Sequence, residues 1–347
     1  MEKRPLGRSG VKVSALCLGT MMYGDQIPEA DAAAQMDACF DRGVDFFDTA
    51  EMYTIPPKPE TQGESERIVG RWLAARGRRD KVVVATKVVG RSRFSWIRDG
   101  EETRLTRAQI EAAVDRSLTN LQTDYIDLYQ LHWPDRPAAI FGAAREHYRH
   151  PDDEGVPLEE TLGALGDLVA AGKIRHVGLS NETAWGTMAC VGLAETLGLP
   201  RIQSIQNAYN LLNRTFEIDL AEIAMREEVG LLAYSPIAQG VLTGKYLGGA
   251  RPAGSRGQLY DRLSRYETPG AEAAVKAYAA LARDVGVDPA ALAMQFVTTR
   301  AFVASNIFGA RTPEQLETIF ASLELKWTRE LDEAVTAIHS LNANPCP

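Results

Sequence analysis

The sequence predicts an α/β fold of the (β/α)8 barrel type, on three observations: eight short apolar runs, a helical pattern between them, and near-continuous apolar character inside the runs. The runs are Val13–Leu18, Asp45–Asp48, Val82–Lys87, Ile126–His132, Ile174–Leu179, Ile202–Asn207, Leu231–Tyr234 and Val303–Phe308. Parallel strands covered on both faces have this composition. An open doubly wound sheet shares the alternation and stays compatible with the count alone. Eight units in 347 residues favour the closed TIM barrel with long loops.

Taken in order, Arg4-Pro-Leu-Gly7 and Val11-Lys-Val13 read as a hairpin turning at Ser9-Gly10, placed to plug the N-terminal end of the barrel. Met36, Cys39 and Phe40 form a helical stripe ending near Gly43, and Ile68, Val69, Trp72 and Leu73 form one ending at Gly77. Thr106 and Gln109 read as a capping box ahead of Ile110, Val114, Leu118 and Leu121. Leu162, Leu165 and Val169 precede Gly172, which suits the left-handed position after a helix. Thr312-Pro313 supplies a cap and a first-turn proline before Leu316, Ile319, Phe320 and Leu323. All of these stripes are core packing. Three longer loops, 90–105, 134–157 and 247–270, follow strands at their C-terminal ends, the face on which barrels carry their sites. No linker, fixed-period repeat or low-complexity tract interrupts the chain, and residues 1–347 read as one barrel domain.

Composition removes several function classes. Apolar residues make up 45% and charged residues 24%, which is ordinary for a globular chain and wrong for a disordered one. No stretch approaches the ~18 apolar residues of a membrane span, and the N-terminus lacks the apolar core of a signal peptide, so a cytoplasmic protein is expected. A net charge of −8 argues against nucleic acid as a partner, although a local basic cluster could bind a small anion. Cys17, Cys39, Cys190 and Cys346 show no zinc spacing and read as three buried hydrophobes and a tail thiol.

The chemistry concentrates at one mouth. Asp48 ends the second run with Tyr53 five residues on, Lys87 ends the third, and His132 ends the fourth. A lysine after Val-Val-Val-Ala-Thr lies in a buried strand and needs a partner, since an unpaired buried ammonium is costly. Asp48 is the natural one. Gly240-Val-Leu-Thr-Gly-Lys-Tyr246 has three residues between its glycines and no Ser or Thr after the lysine, so it is not a magnesium-nucleotide phosphate loop. No Gly-x-Gly-x-x-Gly follows a strand either.

Several segments together resemble the aldo-keto reductases: Gly43-Val-Asp-Phe-Phe-Asp-Thr-Ala-Glu-Met-Tyr53, Thr86-Lys87, Asp127-Leu-Tyr-Gln-Leu-His-Trp-Pro-Asp135, Gly178-Leu-Ser-Asn181, Gln206-Asn-Ala-Tyr-Asn210, Tyr234 to Tyr246, and Gly309-Ala-Arg-Thr-Pro-Glu-Gln315. The resemblance runs in order from about residue 1 to 340 and is strongest to the Tas-like bacterial branch, with potassium-channel β-subunits as more distant relatives. It implies NADPH/NADP+ as cofactor and a small-molecule carbonyl as substrate. Tyr53 would be the proton donor, Lys87 would lower its pKa, Asp48 would hold Lys87, and His132 would orient the substrate oxygen. For the cofactor it implies Gly19, Thr20 and Met21 after the first strand; Ser180, Asn181 and Gln206 on the carboxamide; and Tyr234 beneath the nicotinamide. It adds backbone donors from Ser235, Pro236, Ile237, Gly240 and Leu242, with Lys245, around the pyrophosphate, and Gly309 and Gln315 after the last strand. Arg256 and Arg311 are the candidates for the 2′-phosphate, and they favour NADPH over NADH.

The chain departs from the family pattern at Thr318 and Ile319, where many members carry Glu-Asn, and adenine contacts are expected to differ there. Tyr23, Trp96 and Trp133, with Phe141, are the expected aromatic wall for an apolar aldehyde or ketone. Two rivals stand beside this reading: a regulatory NADP(H)-binding subunit, and a metal-dependent barrel enzyme using Asp48 and His132. The second needs more ligands, and His147, His150, His176 and His339 form no set with His132. Oligomeric state is open, a homo-oligomer included.

Overall fold

The computed structural model describes residues 1–142, 148–152 and 155–347. An antiparallel hairpin, β1 (Lys3–Pro5) and β2 (Lys12–Ser14), precedes the barrel. The barrel begins at β3 (Leu16–Gly19), so the run expected over Val13–Leu18 divides at Ala15, where the chain leaves one sheet and enters the other. Then come α1 (Glu29–Asp41), β4 (Phe46–Asp48), α2 (Glu64–Arg76), β5 (Val83–Val88), α3 (Arg107–Leu121) and β6 (Ile126–Leu131). They are followed by α4 (Leu158–Ala170), β7 (Ile174–Ser180), α5 (Ala184–Leu197), β8 (Ile202–Ala208), α6 (Leu220–Arg226) and β9 (Gly230–Tyr234). The chain ends with α7 (Arg256–Tyr260), α8 (Ala271–Asp284), α9 (Pro289–Thr298), β10 (Val303–Phe308), α10 (Pro313–Ala321) and α11 (Arg329–Leu341). Strands β3 to β10 pair in parallel in chain order, and β10 returns to β3 with Phe308 opposite Leu18, closing the barrel.

Two cores follow from the two-residue period of a strand. Cys17, Phe46, Ala85, Leu128 and Leu232 point inward, where Leu6 and Val13 of the hairpin join them. Leu16, Leu18, Phe47, Val84, Tyr129 and Leu231 point outward and pack in the larger core with the helices. Leu6 is fully buried, worth about 1.5–3 kcal/mol for a side chain of its size, and it anchors the hairpin as the plug the sequence anticipates.

Most helix boundaries follow their local signals. Thr312 Oγ1 accepts from Gln315 N, and Gly77 and Gly172 take the left-handed conformation after α2 and α4. The capping box expected at Thr106 does not form. Gln109 Oε1 instead accepts from Arg104 N, so its side chain braces the preceding loop. Cys346, expected as a tail thiol, is buried like the other three cysteines. Loop 134–157 is described in part, and His147 lies outside the described residues. Among the described residues no helix is long and apolar enough to cross a membrane, and no group of His, Cys, Asp and Glu could hold a metal ion.

Candidate active site

The inward alternation that builds the plug also builds the site. Two residues beyond Phe46, Ala85 and Leu128 stand Asp48, Lys87 and Gln130, the next inward positions of β4, β5 and β6. All three are buried. Lys87 Nζ donates to Asp48 Oδ2 at 2.6 Å, to Thr49 O at 2.7 Å and to Tyr53 Oη at 3.4 Å, which uses its three donors. Asp48 Oδ1 accepts from Gln130 Nε2 at 3.1 Å and Gln206 Nε2 at 2.8 Å. Both oxygens of the carboxylate are therefore bonded, as a buried charge requires.

These contacts set the ionisation of the group. Burial pulls the Lys87 ammonium down, but the Asp48 charge and Tyr53 outweigh it and hold its pKa above the ordinary lysine value. For Tyr53 burial wins: its pKa stands above the usual phenol value, the Lys87 charge offsetting only part of the shift and Asp48 adding to it. The net lowering expected from Lys87 is thus reversed, because the low-polarity surroundings penalise a phenolate more than one ammonium stabilises it. The His132 ring stands 5.7 Å from the Tyr53 ring, centroid to centroid, and burial, with the charge of Lys87, pushes its pKa well below the histidine value. It is neutral at physiological pH, and among the described residues its Nδ1 has no hydrogen-bond partner.

These groups open into a cavity of about 920 Å³. Gly19 forms part of its wall, and a Cβ there would meet Ile307 Cγ2 at 2.9 Å, so the close approach of β3 and β10 requires glycine. Of the residues expected around the cofactor, Ser180, Asn181, Gln206, Tyr234, Ser235, Pro236, Ile237, Gly240, Lys245, Arg256, Gly309, Arg311, Gln315 and Met21 also line the cavity. Thr20 and Leu242 do not. The Thr20 hydroxyl bonds Ser65 and Asp48 O beneath the surface, and Leu242 faces the outer core. Thr318 and Ile319 both reach the cavity, but the Thr318 hydroxyl is bonded to Glu314 O within α10. The departure thus leaves this stretch of wall without a free carboxylate.

The aromatic wall is corrected at two positions. Tyr23 is fully buried with its hydroxyl on Gln35, and Trp96 stands behind Phe94, ring centroids 5.0 Å apart. Trp133 and Phe141, both in the expected wall, line the cavity, together with Phe94, Ile140, Met52 and Ile55. Loop register decided this, since side chains in an irregular segment have no period to read.

Among the described residues seven cations line the cavity: Arg91 and Arg136 are paired with Glu102 and Glu182, and Lys245, Arg256, Arg262, Arg265 and Arg311 form a second group. Among the described residues no carboxylate forms an ion pair with any of these five, in a chain of net charge −8. Arg256 shows the strain of this arrangement: burial, with the like charges of Arg262 and Arg311, pulls its pKa below the arginine value. Sequence reasoning missed Arg262 and Arg265, and also Gln130. Four arginines within loop 247–270 were a signal for the first two, and the two-residue step from Leu128 was one for the third.

The barrel mouth thus joins a buried Tyr–Lys–Asp cluster to a cationic wall. Comparison with known proteins places it. A profile of the aldo/keto reductase family matches residues 15–341. The chain is 47% identical to Protein tas of Escherichia coli K12 over the full length of both. It is 42% identical to an aldo-keto reductase of Babesia bovis over 75% of this chain and 96% of that one. It is 31% identical to a probable voltage-gated potassium channel subunit beta of Arabidopsis thaliana over 91% of this chain and 89% of the other. The chain belongs to the aldo/keto reductase family, whose members are oxidoreductases that bind nicotinamide dinucleotides.

Proposed function

We propose that this protein reduces aldehydes or ketones with NADPH, using Tyr53 as the proton donor. The observation that carries the reading is a single cavity containing both the Tyr53–Lys87–Asp48 cluster and five cations that have no carboxylate partner among the described residues. The cations suit a ligand bearing a pyrophosphate and a further phosphate, which favours NADPH over NADH. The amide groups fit the other end of such a ligand. Gln206 Nε2 is taken by Asp48 and Gln130, so its side chain offers its oxygen to an amide donor, while Asn181 Nδ2 is taken by His132 O and Ser180 Oγ and its Oδ1 by Tyr234 Oη, with one lone pair of that oxygen left over. The cofactor, when bound, supplies hydride to the carbonyl carbon.

The chain's own residues do the rest. Tyr53 keeps its proton at neutral pH and gives it to the carbonyl oxygen, so the alcohol forms and a phenolate is left. Lys87 stabilises that phenolate, and Asp48, gripped by two glutamines, keeps Lys87 charged. Neutral His132 offers a ring N–H to the substrate oxygen and adds no second charge. The substrate end is apolar, and the charged groups at its rim are already paired: Asp135 with Arg104, Arg136 with Glu182. An uncharged, apolar or aromatic carbonyl compound suits it.

The test is NADPH consumption with a panel of aldehydes, ketones and quinones, comparing the wild type with Tyr53→Phe. The variant should lose about 10²–10⁴-fold in kcat and bind NADPH as before, read by fluorescence titration. Tight NADPH binding by a wild type that turns nothing over would instead support a regulatory nucleotide-binding role, in line with the channel-subunit relative. No NADPH binding at all would overturn the proposal.

A further inference from the structure

We propose that Arg265 is a positioning residue for hydride transfer, orienting Tyr234 and, through Asn181, the backbone of His132; the inference rests on the nucleotide reading above. Arg265 lies in the loop between β9 and α8, five residues after the end of α7. Its Nη1 donates to Tyr234 Oη at 3.0 Å. Tyr234 Oη donates to Asn181 Oδ1 at 2.6 Å. Asn181 Nδ2 donates in turn to His132 O at 2.9 Å and to Ser180 Oγ at 3.1 Å. The chain of bonds runs from the cationic loop, across the end of β9, to the ends of β7 and β6.

Arg265 is held differently from the other cations on the wall. Its Nη1 bond goes to a phenol hydroxyl. Its guanidinium stands 5.6 Å from the Tyr234 ring centroid and 5.8 Å from that of Tyr266, so two aromatic faces hold it in place. Lys245, Arg256, Arg262 and Arg311 remain to face the phosphates of a dinucleotide without it. At the receiving end Asn181 has a φ of 51°, a left-handed conformation that asparagine adopts more readily than most residues, and both atoms of its amide are bonded. A phenol that accepts one hydrogen bond and donates another is fixed in rotation, and with it the flat face that Tyr234 turns to the cavity.

Hydride transfer is steep in the distance and angle of the reacting atoms, so a loosened platform slows the chemical step more than it weakens binding. The experiment measures single-turnover oxidation of bound NADPH alongside NADPH affinity by fluorescence titration. It uses Arg265→Leu, Tyr234→Phe and the double variant. Arg265→Leu should slow the single turnover about tenfold and leave the dissociation constant within about threefold. Tyr234→Phe should do the same, and the double variant should be no slower than either single one, because all three break one chain. Arg265→Lys, which keeps charge and a donor, should recover part of the rate, and it carries the comparison should Arg265→Leu not fold. A large loss of affinity with an unchanged single-turnover rate would make Arg265 a phosphate contact and overturn the proposal. Effects that multiply in the double variant would overturn it too, as would an unchanged rate in Arg265→Leu. Wild-type protein that binds no NADPH would instead sink the nucleotide reading, a result separate from these.

Discussion

Replacing Lys87 with methionine removes one charge of a fully buried pair. At 2.6 Å and an effective dielectric near 20, the Lys87–Asp48 attraction is about 6 kcal/mol. Desolvating the two ions costs several kcal/mol each, so the intact pair contributes little net stability. Breaking it is another matter. In Lys87→Met, Asp48 keeps the bonds from Gln130 and Gln206 on Oδ1 but loses its partner on Oδ2. An uncompensated buried carboxylate costs about 3–5 kcal/mol. Converting Asp48 to asparagine in the same chain removes that charge, and most of the loss should return. Urea unfolding read by tryptophan fluorescence would compare wild type, Lys87→Met, Asp48→Asn and the double variant. The double should be more stable than Lys87→Met by at least about 2 kcal/mol. If the two losses simply add, the pair is not coupled and the electrostatic account of the site is wrong. Carbonyl reduction should be lost in all three, so the cycle separates folding from catalysis.

Other predictions follow from the same geometry. The rate of reduction should show no break near ~6.5, because His132 is already neutral there, and should fall only as Tyr53 loses its proton above ~10; a clear inflection near 6.5 that vanishes in His132→Asn would refute the neutral ring. The same depressed pKa makes the unfolded state bind more protons than the folded one below ~6.5, so stability should fall as pH drops through that region, less so in His132→Asn by urea unfolding. Arg256→Leu and Arg311→Leu should each weaken NADPH about 10–100-fold and NADH much less, by fluorescence titration; equal losses for both nucleotides would remove these residues from the extra phosphate. Arg98, buried against Glu51 with bonds of 2.7 and 2.8 Å, ties loop 90–105 to the segment carrying Tyr53, and Arg98→Met should cost about 3–5 kcal/mol in urea unfolding, largely regained with Glu51→Leu.

Legibility in the sequence followed regularity in the backbone. Strand ends carry a period of two, so Asp48, Lys87 and His132 could be placed from their distance to the apolar runs, and the same period would have yielded Gln130. Thr312-Pro313 and Gly172 act through bonds to neighbours in sequence, and they formed as expected. The Thr106–Gln109 box failed because Arg104 N, in the adjoining loop, offered Gln109 a competing donor. Tyr23 and Trp96 were assigned to the cavity as aromatic residues near strand ends, and loop conformation turned both away from it.

The sequence by itself determined the eight-fold alternation, the plug, the family and the Tyr–Lys–Asp–His set, since each depends on residue type and short-range spacing. Only the tertiary structure decided how those groups ionise and which cations join them. The Tyr53 pKa depends on the balance between burial and the Lys87 charge, and that balance exists only once β4 and β5 bring the groups together in a low-dielectric interior. The grouping of Arg262 and Arg265 with Arg311, roughly 50 residues away in the chain, is likewise set by the parallel pairing of β9 with β10, which places the loops after these two strands on one cavity.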